Sequence, residues 1–148
     1  MKELLRAAFS QFEKNQIQAV DAELLLAHLL GISRKQIHAQ NFDLADKDKE
    51  KIASEYADLI NQRLLGRPVQ YITGSAPFRY LDLEVGEGVL IPRPESELIV
   101  DRVIGYLNSA DDKDLAKSVI DLGAGSGALS IATVSYTHLR AHETGRNL

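Results

Sequence analysis

The segment Ser118-Val119-Ile120-Asp121-Leu122-Gly123-Ala124-Gly125-Ser126-Gly127-Ala128-Leu129 decides the fold class of this 148-residue chain. It begins with a short apolar run typical of a buried strand and ends at the start of an apolar helix. Between them, three glycines in five residues let the backbone turn sharply and approach a ligand without an intervening Cβ. The order of strand, glycine loop and helix predicts a nucleotide-type fold with a small-molecule site, and a tight turn without a ligand is the alternative.

Two classes of ligand fit this loop. Gly123, Gly125 and Ala128 match a dinucleotide pattern that permits a final Ala. Asp121 and Gly127 favour a methyl donor instead, because a carboxylate beside the loop attracts an ammonium group and repels a pyrophosphate. The run Asp-x-Gly-x-Gly-x-Gly also resembles the first motif of the class I methyltransferases, whose loop wraps the methionine part of S-adenosylmethionine.

The first 66 residues follow a helical period, with apolar side chains recurring every three or four positions. The pattern predicts helices over residues 2–14 and 18–30, the second ending at Gly31. A short third helix opens with Ser33 and Gln36, which are spaced as a capping box. A fourth helix begins at Asp46 and ends at Gly66. Together these segments predict a helical bundle.

After Pro68 the pattern changes to short runs that alternate with period two. Residues 78–85 predict a strand, residues 86–88 a turn and residues 89–91 a return strand, so we expect a β-hairpin here. Pro94 then opens a helix that extends to residue 107. The apolar face predicted for that helix consists of Leu98, Ile99, Val103, Ile104 and Leu107.

Composition and charge exclude several classes of function. An apolar share of 45%, a charged share of 26% and a net charge of −4 are typical of a soluble globular protein. There is no cysteine, and therefore no disulfide, thiolate nucleophile or cysteine zinc site. No apolar run approaches the roughly 20 residues of a membrane span, and no signal peptide is present, so the prediction is a cytoplasmic protein.

The distribution of charge disfavours nucleic acid as a partner. Residues 1–75 carry ten basic and ten acidic side chains, whereas residues 76–134 carry five basic and ten acidic ones. Binding to a phosphate backbone usually requires a basic face, and neither segment is rich enough in Lys and Arg to predict one.

Two further segments precede the glycine loop, Arg67-Pro68-Val69-Gln70-Tyr71-Ile72-Thr73-Gly74 and Val89-Leu90-Ile91-Pro92-Arg93-Pro94-Glu95-Ser96-Glu97. In this order, and over residues 1 to about 133, the chain resembles the HemK/PrmC family, the peptide chain release factor glutamine methyltransferases. Ser96 and Ala124 stand where the family often has Thr, and both changes keep the size and the backbone role of the residue.

The resemblance implies a fold of class α + α/β with three parts. These are a helical substrate-recognition domain over residues 1–75, a β-hairpin connector over 76–91, and the truncated start of a class I, Rossmann-like methyltransferase domain over 92–134. It implies transfer of a methyl group from S-adenosylmethionine to the N5 side-chain nitrogen of a glutamine in a peptide chain release factor, which the helical domain helps to engage.

The resemblance also implies which residues form the donor site. Those that contact the donor or line its pocket are Asp121, Gly123, Ala124, Gly125, Ser126, Gly127, Pro92, Arg93 and Glu95. For Arg93 there is an alternative, since it could pair with Glu97 as an exposed helix-entry residue, a contact worth at most about 1 kcal/mol.

The acceptor side of the family's site has no counterpart, because this sequence contains no Asn-Pro pair. In the family, an Asn-Pro-Pro-Tyr loop is thought to hold the glutamine NH₂ and align it with the donor methyl group, which is catalysis by orientation and electrostatics. No catalytic residue is therefore predicted, and we expect the chain by itself to be inactive.

Residues 135–148 do not fit the pattern before them, and we expect a foreign or frameshifted end. A ribose-binding acid should follow a second strand, but no β-branched run precedes Glu143, which disfavours that role. His138 and His142 have a four-residue spacing that suits a metal on a helix, but they lack a third ligand. No metal site is therefore predicted.

Two other classes of function remain open on the sequence. Residues 1–66 could act as a helical protein-binding module without enzymatic activity. Alternatively, the chain could belong to an amino-methyltransferase acting on nucleic acid, which would share the donor motif. The absence of a predicted basic face disfavours the second alternative.

Overall fold

The computed structural model describes residues 2–39, 46–108 and 118–143 of the chain. These residues form seven α-helices and one two-stranded sheet, and the chain divides into two compact units, Met1–Gly74 and Ser75–Leu148. The helices of the first unit are α1 (Lys2–Lys14), α2 (Ala19–Leu30), α3 (Arg34–Ala39), α4 (Asp46–Leu64) and α5 (Val69–Thr73).

The first two helices follow the predicted pattern closely. In α1, Leu5, Ala8 and Phe12 recur at helical spacing and are the buried residues of the helix. α2 ends at Gly31, whose φ of 63° places it in the left-handed region, where its N–H bonds to the carbonyl of His28. This is the role for which glycine is favoured at a helix end. The sequence prediction for both helices is confirmed.

The core of the first unit is almost wholly aliphatic and aromatic. Phe12, Leu25 and Leu26 are fully buried at its centre. The other buried members come from every helix of the unit, and they are Leu5, Ala8, Ala22, Ala27, Ile37, Tyr56, Ile60 and Val69. Burial of this apolar surface supplies the main free energy that stabilises the helical unit.

Two polar contacts cross this core. The Asp21 carboxylate accepts a hydrogen bond from Arg63 Nε at 2.7 Å, which joins α2 to the end of α4. The Tyr56 hydroxyl donates to the carbonyl of Ala22 at 2.9 Å, and burial raises the pKa of Tyr56 above its ordinary value. The phenol therefore stays a neutral donor, and both contacts satisfy polar groups that would be costly to bury alone.

The predicted capping box at α3 forms in part. Gln36 Oε1 accepts hydrogen bonds from the Ser33 amide and the Ser33 hydroxyl, both at 2.8 Å. The Ser33 hydroxyl thus donates to the Gln36 side chain. In a full capping box the Ser33 hydroxyl would instead accept a hydrogen bond from the backbone N–H of Gln36. The backbone N–H of Gln36 donates to the Ser33 carbonyl at 3.0 Å.

A short helix that the sequence analysis did not predict follows Pro68. α5 covers Val69–Thr73 and is followed by Gly74, which is in the left-handed region with φ of 73°. Five residues are too few to show a helical period, so hydrophobic spacing gave no signal. The Pro before the first turn and the Gly after the last one were the available signals.

The hairpin exists, but the predicted strand positions are wrong. β1 (Ser75–Phe78) and β2 (Leu81–Glu84) pair antiparallel, with Phe78 opposite Leu81. The turn lies at Arg79, which has φ of 55°, and residues 89–91 form no strand. Apolar residues alternate on both sides of the turn, with Phe78 and Tyr80 at even positions and Leu81 and Leu83 at odd ones, and the two-residue turn lies where the pattern changes.

The second unit contains two long helices. A single 3₁₀ turn over Pro94–Ser96 leads into α6 (Glu97–Asn108), and α7 extends over Ala128–Glu143. Their shared core is small and includes both strands of the hairpin. Its buried members are Phe78, Leu83, Val100, Ile104, Ala128 and Ala132.

The predicted apolar face of α6 is only partly buried. Val100 and Ile104 are buried, whereas Leu98 is 68% and Ile99 50% exposed. Ile104 was predicted and Val100 was not. Among the described residues, the core contacts of α6 come from the hairpin and α7, and Leu98 and Ile99 lie outside that core.

The predicted strand before the glycine loop is not found in the structure. Residues 118–122 form no strand, and Ile120 is 81% and Leu122 89% exposed. A strand requires a neighbour to bond its N–H and C=O groups, and the described residues supply none beside this segment.

The helix after the loop continues past Ser135 to Glu143, and Tyr136 packs against the core of the second unit. The foreign origin expected for residues 135–148 stays a prediction. Residues 144–148 and the side chains of His138 and His142 lie outside the described residues. Within the described ranges, every helix is too short or too polar for a bilayer span.

The buried centre of the first unit predicts a large difference between two identical substitutions. Leu25→Ala removes a fully buried side chain and should lower the free energy of unfolding of the helical unit by about 2–5 kcal/mol. Leu65→Ala, at a site 89% exposed, should change it by less than about 0.5 kcal/mol. Urea titration followed by the amide NMR signals of α2 measures both. Equal effects would contradict the described core.

Candidate functional site

The glycine loop has a backbone that only glycine adopts readily. Gly123, Gly125 and Gly127 have φ of 76°, 55° and 74°, all in the left-handed region. Among the described residues, a Cβ at Gly123 would meet nothing within 4 Å, and one at Gly125 would meet only the Gly123 carbonyl at 3.8 Å. The space beside the first two glycines is therefore open, and a ligand could approach the main chain there.

Two hydrogen bonds define how the loop enters α7. The Gly127 amide bonds to the Ala124 carbonyl at 2.8 Å, and the Ile131 amide bonds to the Gly127 carbonyl at 2.8 Å. The second bond is the first of the helical ladder. The amides at the start of a helix lack partners within the helix, and they offer donors and a partial positive charge to a bound group.

Asp121 lies at the other end of the loop and is half-buried. Its Oδ2 accepts a hydrogen bond from the Ser130 hydroxyl at 2.7 Å. Both residues line a groove that is otherwise almost entirely aliphatic, between α6, residues 119–121 and α7. The other lining residues are Ile99, Val100, Val103, Val119, Ile120, Leu129, Thr133 and Val134.

The predicted pocket segment from Pro92 to Glu95 lies at the entrance of α6. Pro92 is half-buried, Arg93 and Glu95 are exposed, and the Arg93 carbonyl accepts from the Ser96 amide at 3.0 Å. No hydrogen bond or ion pair among the described residues joins this segment to the glycine loop. The structure thus brings Asp121 and the loop together and leaves the role of Pro92, Arg93 and Glu95 as a prediction.

Arg79 is a residue of this region that sequence reasoning missed. Its side chain is only 14% exposed, and its guanidinium lies 5.3 Å from the centre of the Tyr80 ring. Its amide donates to Glu97 Oε1 at 2.8 Å, and its Nη1 donates to the Asp101 carboxylate and the Glu97 carbonyl. The bond to Asp101 raises the pKa of Arg79, so the charge is retained.

The contacts of Arg79 bear on the hairpin and on Glu97. They fasten the hairpin turn to the first turns of α6, and therefore fix one end of the segment that contains Pro92 and Arg93. One oxygen of the Glu97 carboxylate accepts from the Arg79 amide, and the ion pair considered for Arg93 and Glu97 is not found among the described residues. The available signal was the pair of acids at Glu97 and Asp101, one helical turn apart and facing the same way.

A metal centre finds no support in the part of the chain that is described. No group of three or more His, Cys, Asp or Glu side chains there could hold a metal ion. The loop itself offers backbone amides and one carboxylate, a set suited to an organic ligand that carries both polar and cationic groups.

Comparison with known proteins supplies a family. Residues 3–74 match the family model described as the PrmC N-terminal domain. The chain is similar to the release factor glutamine methyltransferase of Bifidobacterium longum, with 36% identity over 135 residues, which is 90% of this chain and 45% of that protein. It is also similar to the proteins of that name from Haemophilus influenzae, with 36% identity over 138 residues, and Chlorobaculum tepidum, with 37% over 135 residues.

These matches extend well beyond the helical unit, since they cover 90% of this chain in Haemophilus influenzae and 87% in Chlorobaculum tepidum. The chain spans somewhat less than half the length of these relatives, 46% and 44% respectively.

The left-handed backbone of the loop predicts that Gly123→Ala is unfavourable although space is available. A Cβ in this conformation should cost about 1–2 kcal/mol, measured as faster hydrogen exchange of the first bonded amides of α7. Gly86→Ala is the matched control, because Gly86 also has open space but no positive φ. It should leave exchange in α7 unchanged. Equal exchange in the two variants would contradict the loop geometry.

The Arg79 contacts predict that Arg79→Ala loosens the hairpin and α6 together. Loss of the guanidinium bonds to the Asp101 carboxylate and the Glu97 carbonyl should lower the local stability by about 1–2 kcal/mol, seen as faster amide exchange in β2 and in the first turns of α6. Arg102→Ala removes an exposed arginine from the same helix and should have little effect. Normal exchange in Arg79→Ala would show that the turn is held by other contacts.

Proposed function

Because this chain belongs to the family of peptide chain release factor glutamine methyltransferases, we propose that it provides the substrate-recognition domain and the donor-binding loop of such an enzyme. The proposed reaction is transfer of a methyl group from S-adenosylmethionine to the N5 nitrogen of a glutamine in a release factor. The relatives carry the name of this activity, and this chain aligns with less than half of their length.

The observation that carries the donor proposal is the glycine loop after Asp121. Gly123 and Gly125 hold open, left-handed positions in which a side chain is disfavoured, so the main chain can lie against the donor. Asp121 places a carboxylate at the base of the same loop. A carboxylate and free amides match the ammonium and carboxylate groups of the methionine part of the donor.

In this proposal each part of the second unit has one role toward the donor. The donor supplies an electrophilic methyl group on a positively charged sulfur. Asp121 binds its ammonium group, and residues 123–127 follow its amino-acid part with their backbone. The aliphatic groove beside Asp121 supplies an apolar wall on that side of the site. Pro92, Arg93 and Glu95 line the adjacent wall, at the entrance of α6 that Arg79 holds in place.

For the helical unit we propose contact with the release factor. Its support is the family match, which covers residues 3–74 and coincides with the unit Met1–Gly74. The unit has its own apolar core, to which each of its five described helices contributes, so it can present a stable surface to a protein partner.

The acceptor side of the site is not supplied by this sequence, which has no Asn-Pro pair. An amide nitrogen is a poor nucleophile, so methyl transfer to it depends on holding the glutamine side chain in the correct orientation against the donor. We therefore propose that the 148-residue chain alone binds the donor and transfers no methyl group.

Titration calorimetry with S-adenosylmethionine tests the donor proposal on the chain as it stands. We expect saturable binding at one site, and we expect Gly123→Ala to weaken it because the Cβ would enter the space reserved for the donor. Leu65→Ala, exposed in the other unit, is the control that should bind normally.

Four outcomes separate the candidate functions. Saturable binding without labelled methyl transfer to a release factor supports the proposal, and detectable transfer would overturn the proposed inactivity. No binding heat would favour the helical protein-binding module. Methyl transfer to a nucleic acid would favour the amino-methyltransferase alternative.

A further inference from the structure

We infer that Ser130 is a positioning residue for donor binding, acting through Asp121 on the ammonium group of the methionine part. The inference rests on the proposed donor site and goes beyond it, since Ser130 lies outside the glycine motif. The observation is the hydrogen bond that the Ser130 hydroxyl donates to Asp121 Oδ2 at 2.7 Å.

The direction of the Ser130 hydroxyl is informative. A serine or threonine within a helix commonly returns its hydroxyl proton to the carbonyl four residues earlier. Thr133, one turn further along α7, does this and donates to the Leu129 carbonyl at 2.8 Å. Ser130 instead directs its proton away from the helix and across the loop to Asp121, nine residues before it.

This hydrogen bond joins the residue before the glycine loop to a residue after it. Asp121 precedes the loop and Ser130 follows it in the first turn of α7, so the bond spans all of residues 122–129. Residues 118–121 belong to no strand, and a sheet ladder therefore does not hold Asp121 in place. Among the described residues, the Ser130 hydroxyl is the hydrogen-bond partner of its side chain.

The bond also leaves half of the carboxylate available. Oδ2 is occupied by Ser130, and no hydrogen bond of the described residues uses Oδ1. Donation from a neutral hydroxyl fixes the rotamer of Asp121 without neutralising its charge. A carboxylate held in one orientation before the ligand arrives loses less conformational entropy on binding, so affinity rises.

The test compares two ligands that differ in the methionine part. S-adenosylmethionine carries the ammonium group, and 5′-methylthioadenosine has the same nucleoside and sulfur without it. Calorimetry on the 148-residue chain should show that Ser130→Ala weakens S-adenosylmethionine binding about three- to tenfold. The affinity for 5′-methylthioadenosine should stay the same, because that ligand does not reach Asp121.

Two further variants separate positioning from general stability. Ser130→Thr keeps the hydroxyl and should restore binding of S-adenosylmethionine to within about twofold. In an Asp121→Ala background the additional Ser130→Ala change should have no effect, since the two residues act as one unit. Thr73→Ala, which removes a hydroxyl bonded within α5 of the other unit, is the matched control and should bind normally.

The outcomes distinguish this inference from the proposed function. If the wild-type chain binds S-adenosylmethionine and Ser130→Ala binds it with the same affinity, the inference is overturned while the proposed donor site stands. Equal weakening for both ligands would also overturn it, because Ser130 would then only support the loop. If the wild-type chain binds neither ligand, the donor site fails and this inference fails with it.

Discussion

A helix bonds its N–H and C=O groups within one segment, whereas a strand needs a second segment beside it. This constraint separates the two units of the chain. In the first unit every element is a helix, so each one is satisfied locally and needs its neighbours only to bury an apolar face. In the second unit the two hairpin strands bond to each other. Val119 and Ile120 have no strand beside them in the described residues and stay exposed.

The same constraint explains how far the sequence could predict the fold. α1 and α2 were predictable because their periods are long and Gly31 marks an end. The hairpin was expected in the right region but at the wrong positions. Its register depends on Arg79 adopting a left-handed turn, and that conformation is stabilised by contacts with Glu97, which is distant in sequence. Local alternation carries no information about such a contact.

The candidate site divides in a similar way. The glycine positions were predictable because a positive φ favours glycine over other residues, as at Gly123, Gly125 and Gly127. The Asp121–Ser130 bond and the Arg79 contacts were not predictable, since a hydroxyl or a guanidinium can take many partners and only the folded chain selects one. Backbone requirements are therefore visible in a single sequence, whereas side-chain pairings are mostly not.

The helical core has a consequence for synthesis. All of its members lie between Leu4 and Ile72, so the core is complete within the first unit and needs no residue that follows it. Domains rich in local contacts fold rapidly, and N-terminal domains fold first as a polypeptide leaves the ribosome. We therefore expect the helical unit to fold while the glycine loop is still being translated, so that a folded surface is present on the nascent chain before any donor site exists.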